Sequence, residues 1–595
     1  LDLYPLPNGP ERSDGFAEFA SSYANAGRHD AGSLRLDRSV SNRLMLSGYY
    51  NFTDSRADDR GAGGFSLNTL NRLFNRAQTF TATATYTISP RLVGEIKTNY
   101  SHFTSRSSYR LDNFGGATLP AESLFSPAPL FARNGSFSAD LNGRNTTLMA
   151  GSDVTSTQRQ FNTLGSITMV SGAHTIKLGA DYRRIFPIVG LRQEEQSALF
   201  DGVTQALTGT AARVNFFVRS QPQRPVFNEL SVYGEDEWRL TPRLTLTYGL
   251  RWELSPAPSS SNRSDALAVT QVNDPSQLNL ASPGTSLWAT SYANFGPRAG
   301  FAYSPFKSDE LVIRGGFGVL YDFGNAAAGD AFADSYPFLN GQSQFNVQFS
   351  FANPPSPLNS TIVGVPFSAF DPYLKMPYSL QWSVSVEREL GSRQSISAAY
   401  VGNAGRRSLL TSTLLNANPT FEFLRLTSNA AVSDYRSLQL LFNRRWSNRL
   451  GGMVGYTWAR SSDNSSQDSA ARALFRSVDQ QLEHGPSDFD IRHTLTGFVS
   501  YQLPDPFSRG VGKILLRNWS LDSVFNVHSA GPVNVVYGVP TSFGFLYLRP
   551  DVIAGAPLYL NDLTAAGRRR INPDAFIAPP DLRQGTLARN ALRGF

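Results

Sequence analysis

Residues 244–253, LTLTYGLRWE, place Leu244, Leu246, Tyr248, Leu250 and Trp252 on one side of an extended chain. Thr245, Thr247, Gly249, Arg251 and Glu253 fall on the other side. Successive side chains of a strand point to opposite faces, so a strict two-residue period predicts a strand between an apolar and a polar medium. The same period recurs in RLMLSGYYNF (43–52), FTATATYTI (80–88), LVIRGGFGVLY (311–321), LQWSVSVE (380–387) and HTLTGFVSYQL (493–503).

The connections follow a rhythm of their own. Tight turns share one formula: strand, Ser or Thr, a turn residue, Arg, an apolar residue, strand. VSNRLML, ISPRLVG, LTPRLTL and WSNRLGG all fit it. Between these hairpins lie polar stretches at 54–76, 105–156, 187–226, 256–294, 323–375, 404–433 and 461–489, rich in Gly, Asn, Ser, Asp and Pro and therefore expected to be loops. Short turns alternating with long loops, joined by aromatic-ended strands, predict an all-β, transmembrane antiparallel β-barrel of the outer-membrane kind. About 16 to 18 strands of crossing length can be placed. Closure follows because an open sheet edge in lipid leaves backbone groups unpaired. A soluble antiparallel sandwich also alternates, but it does not account for the turn–loop rhythm or the aromatic strand ends. Trp238, Tyr248, Trp252, Trp382, Trp446, Tyr456 and Trp458 are assigned to the membrane girdles. Asp236 shares its parity with Trp238, which calls for a bulge near the rim or a position beyond the hydrocarbon.

Composition narrows the class. Charged residues make up 17% and aromatics 12%, against about a quarter charged in an ordinary soluble domain. Cysteine is absent, which excludes disulfides, thiolate metal sites and cysteine catalysis. The net charge of +7 is spread along the chain without a basic cluster, which gives no nucleic-acid footprint. No run approaches the roughly 18 to 20 apolar residues of a membrane-spanning helix. The opening LDLYPLPNGPE, without Met, is expected to be mid-chain sequence.

Candidate chemistry is sparse. The six histidines form no metal-binding helical pair. The densest cluster, EHGPSDFDIRH (Glu483, His484, Asp488, Asp490, His493), could hold a divalent ion, but its spacing suits turn caps and pairing with Arg492 better. SSDNSSQD (461–468) lacks the spacing of a calcium loop. The glycines of GGFGVLYDFGN (315–325) suit close strand packing rather than phosphate binding. No serine-hydrolase or nucleotide-binding motif occurs, so no enzyme, cofactor or catalytic residue is expected. By parity the polar interior receives Lys177, Asp181, Arg183, Arg239, Arg243, Arg251, Arg298, Arg314, Glu387, Glu389 and Arg445, together with Glu95 and Lys97. These either dock a plug and line a conduit or simply solvate the interior. Ligand capture is assigned to loop aromatics Trp288, Tyr292, Tyr336 and Phe338, which could equally pack the loops together.

NFGPRAGFAYSPF (294–306) followed by LVIRGGFGVLYD (311–322) resembles the barrel of TonB-dependent outer-membrane receptors of the Oar-like type. In that group a carboxypeptidase-regulatory-like domain precedes the plug. PYSLQWSVSVERELGSRQSISAAYVGNAGRR (377–407), DYRSLQLLFNRRWSNRLGGMVGYTWARSSD (434–463), GPSDFDIRHTLTGFVSYQLP (485–504) and NWSLDSVFNVHSAGPVNV (518–535) are similar to further blocks of the same family. SGAHTIKLGADYRR (171–184) is similar to a block shared more widely among these receptors. The resemblance implies a barrel of about 22 strands around a plug, and TonB-powered uptake of an oligosaccharide, peptide or metal chelate across the bacterial outer membrane. It also implies a monomeric barrel in outer-membrane lipid. Residues 1–537 correspond to barrel, and 538–595 to an extracellular loop region before further strands. The plug, TonB box and regulatory-like domain have no counterpart here. The alternative is a non-transporting surface protein with an adhesive or structural role.

Overall fold

The computed structural model describes the chain except residues 13–14, 120–134, 143–145, 191–193, 220–221, 262–264, 307–309, 324–327, 330, 334, 350–364, 467–471, 475–482, 505–517, 542–543, 581–582 and 595. Sixteen strands run in an antiparallel meander, each bonded to the next in sequence. They are β1 (Gly27–Ser39), β2 (Leu44–Arg60), β3 (Thr69–Ser89), β4 (Leu92–Leu111), β5 (Leu148–Ser171), β6 (His174–Ile185), β7 (Pro225–Thr241) and β8 (Leu244–Leu254). Then follow β9 (Phe295–Tyr303), β10 (Leu311–Tyr321), β11 (Tyr378–Glu389), β12 (Gln394–Asn418), β13 (Phe421–Ser447), β14 (Leu450–Asp463), β15 (His493–Gln502) and β16 (Ser520–His528). Among the described residues, β1 pairs only with β2 and β16 only with β15.

The turn formula has a physical basis. The hydroxyls of Ser41, Ser89 and Thr241 accept the backbone N–H groups of Arg43, Arg91 and Arg243 at 3.2, 3.3 and 3.2 Å. This is the Ser/Thr turn in which a side chain takes the place of a backbone acceptor. The fourth turn uses Asn448 and Arg449, both at positive φ (49° and 65°), the geometry that matches strand twist in a two-residue hairpin.

Register fixes two faces. One carries Leu34, Leu46, Tyr50, Phe80, Ile96, Tyr100, Ile167, Leu178, Leu250, Val384, Ile396 and Leu440, all exposed. The opposite face is polar. An exposed apolar band of this extent on one side of a sheet requires a covering apolar medium. On the apolar face two glycines accommodate neighbouring rings. A Cβ on Gly402 would meet the Trp382 indole at 2.1 Å, and one on Gly315 would meet the Phe301 ring at 2.3 Å. The alternating glycines therefore seat aromatic rings across the strand.

Two sequence expectations are corrected. Residues 404–433 are not a loop. β12 and β13, 25 and 27 residues long, continue almost to their connecting turn. Residues 54–76 are likewise mostly strand, with only 61–68 between β2 and β3. Polar composition mimicked loops because strands that outrun an apolar band need no apolar face. The true loops carry structure of their own. Strand Gly135–Asp140 runs parallel to Glu194–Leu199, which pairs with Thr210–Arg219, which pairs with Leu339–Gln348. Three loops thus build one ladder at the long-loop end. Separately, Phe227, Leu287, Phe332, Phe338, Phe370 and Leu374 form a buried apolar core.

Candidate functional site on the inner wall

The polar face gathers charge where β5 to β8 meet. Alternation points Asn162, Asp181, Arg183, Glu229, Ser231, Tyr233, Arg251 and Glu253 to the same side. Arg251 is central. Its Nε donates to Glu253 Oε1 at 2.6 Å, and its Nη2 donates to Ser231 Oγ at 2.5 Å and lies 3.5 Å from Asp181 Oδ2. Asn162 Nδ2 donates to Asp181 Oδ1 at 2.5 Å. Arg183 Nη1 lies 3.4 Å from Glu229 Oε2. The Arg251 guanidinium sits 5.6 Å from the Tyr233 ring centre. Tyr233 faces Gly179 in register, and a Cβ there would come within 2.5 Å of its hydroxyl, so glycine makes room for the phenol. Glu229, Ser231 and Glu253 are buried. Glu253 Oε2 and Arg183 Nε are buried with no hydrogen-bond partner among the described residues.

Asp181, Arg183 and Arg251, all assigned to the interior from parity, are therefore brought into one cluster. Parity also puts Glu229 inside, but its burial against Arg183 depends on the register between β6 and β7, which no single strand reveals. Arg314 and Glu387 form a second inner pair at 3.3 Å. Lys177 faces Glu235 in register, and Arg298 and Glu389 lie exposed on the same inner face. Glu95 and Lys97 alternate inward on β4. Arg239, 3.9 Å from Glu237, and Arg445 sit exposed at the short-turn rim. Arg243 departs from the expectation. It lies in the turn itself and donates to the Pro305 carbonyl at 3.2 Å, because the turn formula commits that position to the hairpin.

The girdle aromatics Trp238, Tyr248, Trp252, Trp382, Trp446, Tyr456 and Trp458 all lie on the apolar face by register or alternation. Trp238 and Trp446 are near short turns. Trp252 is near the long loops, where its Nε1 donates to the Tyr292 carbonyl at 2.7 Å. Asp236 is on the apolar face too. No bulge separates it from Trp238, since the irregularity falls between Arg239 and Thr241. Its carboxylate is held instead by Tyr248, whose hydroxyl donates at 2.8 Å, and by His174 Nδ1 at 2.7 Å. Trp238 stacks on that imidazole with centroids 5.3 Å apart.

Among the loop aromatics, Phe338 is buried in the loop core, and Trp288 packs on Phe370 with ring centres 5.3 Å apart. Tyr336 packs against a neighbouring core around Phe367 and Phe421. Tyr292 is 66% exposed. Three of the four hold loops together in this geometry, and Tyr292 alone of the four offers an open ring.

The EHGPSDFDIRH cluster is spent on arginines from the last stretch of chain. Glu483 pairs with Arg549 at 2.7 Å, Asp488 with Arg589 at 3.1 Å, and Asp490 with Arg593 and, at 3.0 Å, Arg492. His493 turns to the apolar face and meets the Tyr456 hydroxyl at 2.8 Å. No group of three or more His, Cys, Asp or Glu able to hold a metal occurs among the described residues. Part of SSDNSSQD lies outside the described residues. Within it Asp463 pairs with Arg589 at 2.5 Å. Sequence reasoning missed Arg549, Arg589 and Arg593, because their partners lie up to 126 positions away.

The family model for the outer membrane beta barrel domain matches residues 1–595. No curated protein sequence matches the chain. Among solved structures, the outer membrane transporter YddB from Escherichia coli is similar with a TM-score of 0.55 at 11% identity, over 90% of this chain and 62% of that one. The ferric preacinetobactin receptor BauA from Acinetobacter baumannii gives 0.46 at 10% identity, over 86% of this chain and 63% of that one. The chain thus spans less than two thirds of the length of these relatives. With the family matched end to end and an apolar band on one face of the wall, the chain belongs to the outer membrane beta barrel domain family and resides in the bacterial outer membrane.

Proposed function

We propose that this chain forms the wall of a TonB-dependent outer-membrane transporter of the Oar-like type, importing an oligosaccharide, peptide or metal chelate. The observation that carries the reading is the inner cluster around Arg251. A wall that only had to be wetted would need solvated charges. This one instead holds buried carboxylates and half-buried guanidiniums in a fixed hydrogen-bonded array, with Glu253 Oε2 and Arg183 Nε left over. Buried polar atoms without partners are costly, so their presence on the inner face suits a polar partner docking there, as a plug would. The likeness to the transporter YddB supports the fold of such a wall. Passage in this reading begins at the structured loops, with Tyr292 as an exposed contact, and ends in a conduit lined by the Arg251 and Arg314 clusters.

The test uses cells producing the full-length protein and cells lacking it. Accumulation of labelled oligosaccharides, peptides and ferric chelates is measured with and without a protonophore. Protein-dependent accumulation abolished by the protonophore, and reduced by Arg251→Leu without loss of the protein from the outer membrane, is the expected result. Accumulation unchanged in all arms, with cell–cell aggregation altered by the deletion, would overturn transport in favour of a surface role.

A further inference from the structure

We propose that the outward wall of β2 to β5 binds the phosphate groups of an outer-leaflet lipid, just above the apolar band. The register gives the argument. Tyr50, Phe80, Tyr100 and Phe161 stand side by side on four strands, in one aromatic row on the apolar face. Tyr50 is the seventh residue of β2, and strands of roughly 9 to 11 residues cross the hydrocarbon when tilted. The rows beyond this aromatic row therefore lie at headgroup height. The first contains His102 and Arg159, the next Asp54 and Arg76, the next Arg56, Phe74 and Arg106, and the fourth Asp58 and Arg72. In these four rows, the described side chains of β2 to β5 set five guanidiniums against two carboxylates. The β1 residues beside them, Arg28 and Asp30, pair with each other at 2.7 Å and change nothing.

The arginines converge rather than spread. Arg56, Arg76 and Arg106 lie 5.4, 5.2 and 5.9 Å from the centre of the single Phe74 ring. Among the described residues, Asp54 is the one carboxylate between them, 2.6 Å from Arg76 and 3.6 Å from Arg56. Arg106 spends its Nε on the Thr155 hydroxyl at 3.3 Å and keeps its Nη groups for another acceptor. The Arg56 and Arg76 side chains are 66% and 41% exposed. Like charges gathered on one ring repel, and a multivalent anion relieves that repulsion. Planar guanidiniums match phosphate oxygens in pairs. A lipid is the occupant because the patch continues directly into the aromatic and aliphatic rows that acyl chains cover. A soluble anion would use only half of this surface.

The full-length protein, purified in nonionic detergent, is titrated with mixed micelles carrying a bisphosphorylated acylated glucosamine disaccharide. Parallel titrations use the dephosphorylated lipid, and free pyrophosphate as competitor. The phosphorylated lipid should bind, and the dephosphorylated lipid should bind at least tenfold more weakly. Arg56→Gln, Arg72→Gln and Arg106→Gln should each weaken binding about fivefold, as expected near a membrane surface, and Arg106→Lys should recover most of the loss. Arg106→Gln leaves both Asp54 pairs untouched, so its effect reads binding even where Arg56→Gln fails to fold. Equal binding of the dephosphorylated lipid, or unchanged binding by Arg106→Gln, would overturn the proposal. So would displacement of the lipid by equimolar pyrophosphate, which would mark a soluble-anion site instead.

Discussion

Arg589 offers the most direct test of how the last stretch of chain is held on the long-loop end. Its Nη1 donates to Asp463 Oδ1 at 2.5 Å and to the Asp463 carbonyl at 3.0 Å. Its Nη2 donates to Ser466 Oγ at 2.5 Å and Asp488 Oδ1 at 3.1 Å. The side chains of Arg589 and Asp463 are 9% and 3% exposed. Arg589→Ala strands a buried carboxylate, which costs about 3–5 kcal/mol when nothing replaces the partner. The lower end applies, because the Ser466 hydroxyl still donates to Asp463 at 2.8 Å. At about 1.4 kcal/mol per factor of ten, local opening of residues 529–595 should rise by roughly two orders of magnitude. Arg593→Ala should do far less, about 1–2 kcal/mol. Asp490 keeps Arg492 at 3.0 Å and the Ser461 N–H at 2.6 Å. Adding Asp463→Asn to Arg589→Ala should restore part of the loss by removing the stranded charge. Hydrogen exchange followed by mass spectrometry reads protection in 529–595 against the wall strands β12 to β14. Equal, small effects of Arg589→Ala and Arg593→Ala, or loss of protection spread evenly over the wall, would refute the reasoning.

Further outcomes follow from other sites. His174→Leu should destabilise the wall by about 1 kcal/mol or more by leaving Asp236 charged on the apolar face. The double change His174→Leu/Asp236→Leu should recover it, because apolar replacement of a paired charge is often neutral or better; thermal unfolding in detergent separates the two. Gly402→Ala should lower stability by about 1–3 kcal/mol, because the Trp382 ring occupies the new methyl's position, and a melting temperature equal to the parent's would contradict this seating. Two loop carboxylates report on pH. Hydrogen bonding to Arg583 holds Asp551 below its ordinary value of 3.8, and hydrogen bonding to Thr564 does the same for Asp562. A depressed carboxylate stabilises the folded state above its unfolded pKa and loses that contribution as pH falls through its folded pKa. Cleavage of 551–583 by an acid-active protease should therefore increase only below pH 3.8, and Arg583→Gln should flatten that pH dependence, because it removes the main cause of the Asp551 depression.

Much of this architecture is legible along the chain, because a strand between lipid and water must alternate and a tight hairpin must satisfy its own N–H groups. Leu244 to Trp252 announce their strand by period alone, and Ser41, Ser89 and Thr241 announce their turns by side-chain chemistry. Parity likewise sends Asp181, Arg183 and Arg251 to the same side. Three matters needed the tertiary structure. Register decides that Arg183 meets Glu229 and that Arg251 meets Ser231, since a partner on another strand leaves no local pattern. Strand length beyond the membrane is hidden because 404–433 lose the apolar alternation once no lipid faces them, though the ladder continues. The pairing of Asp463, Asp488 and Asp490 with Arg589 and Arg593 joins segments about a hundred positions apart. A local motif shows that charge is present; only the fold determines which opposite charge is close enough to neutralise it.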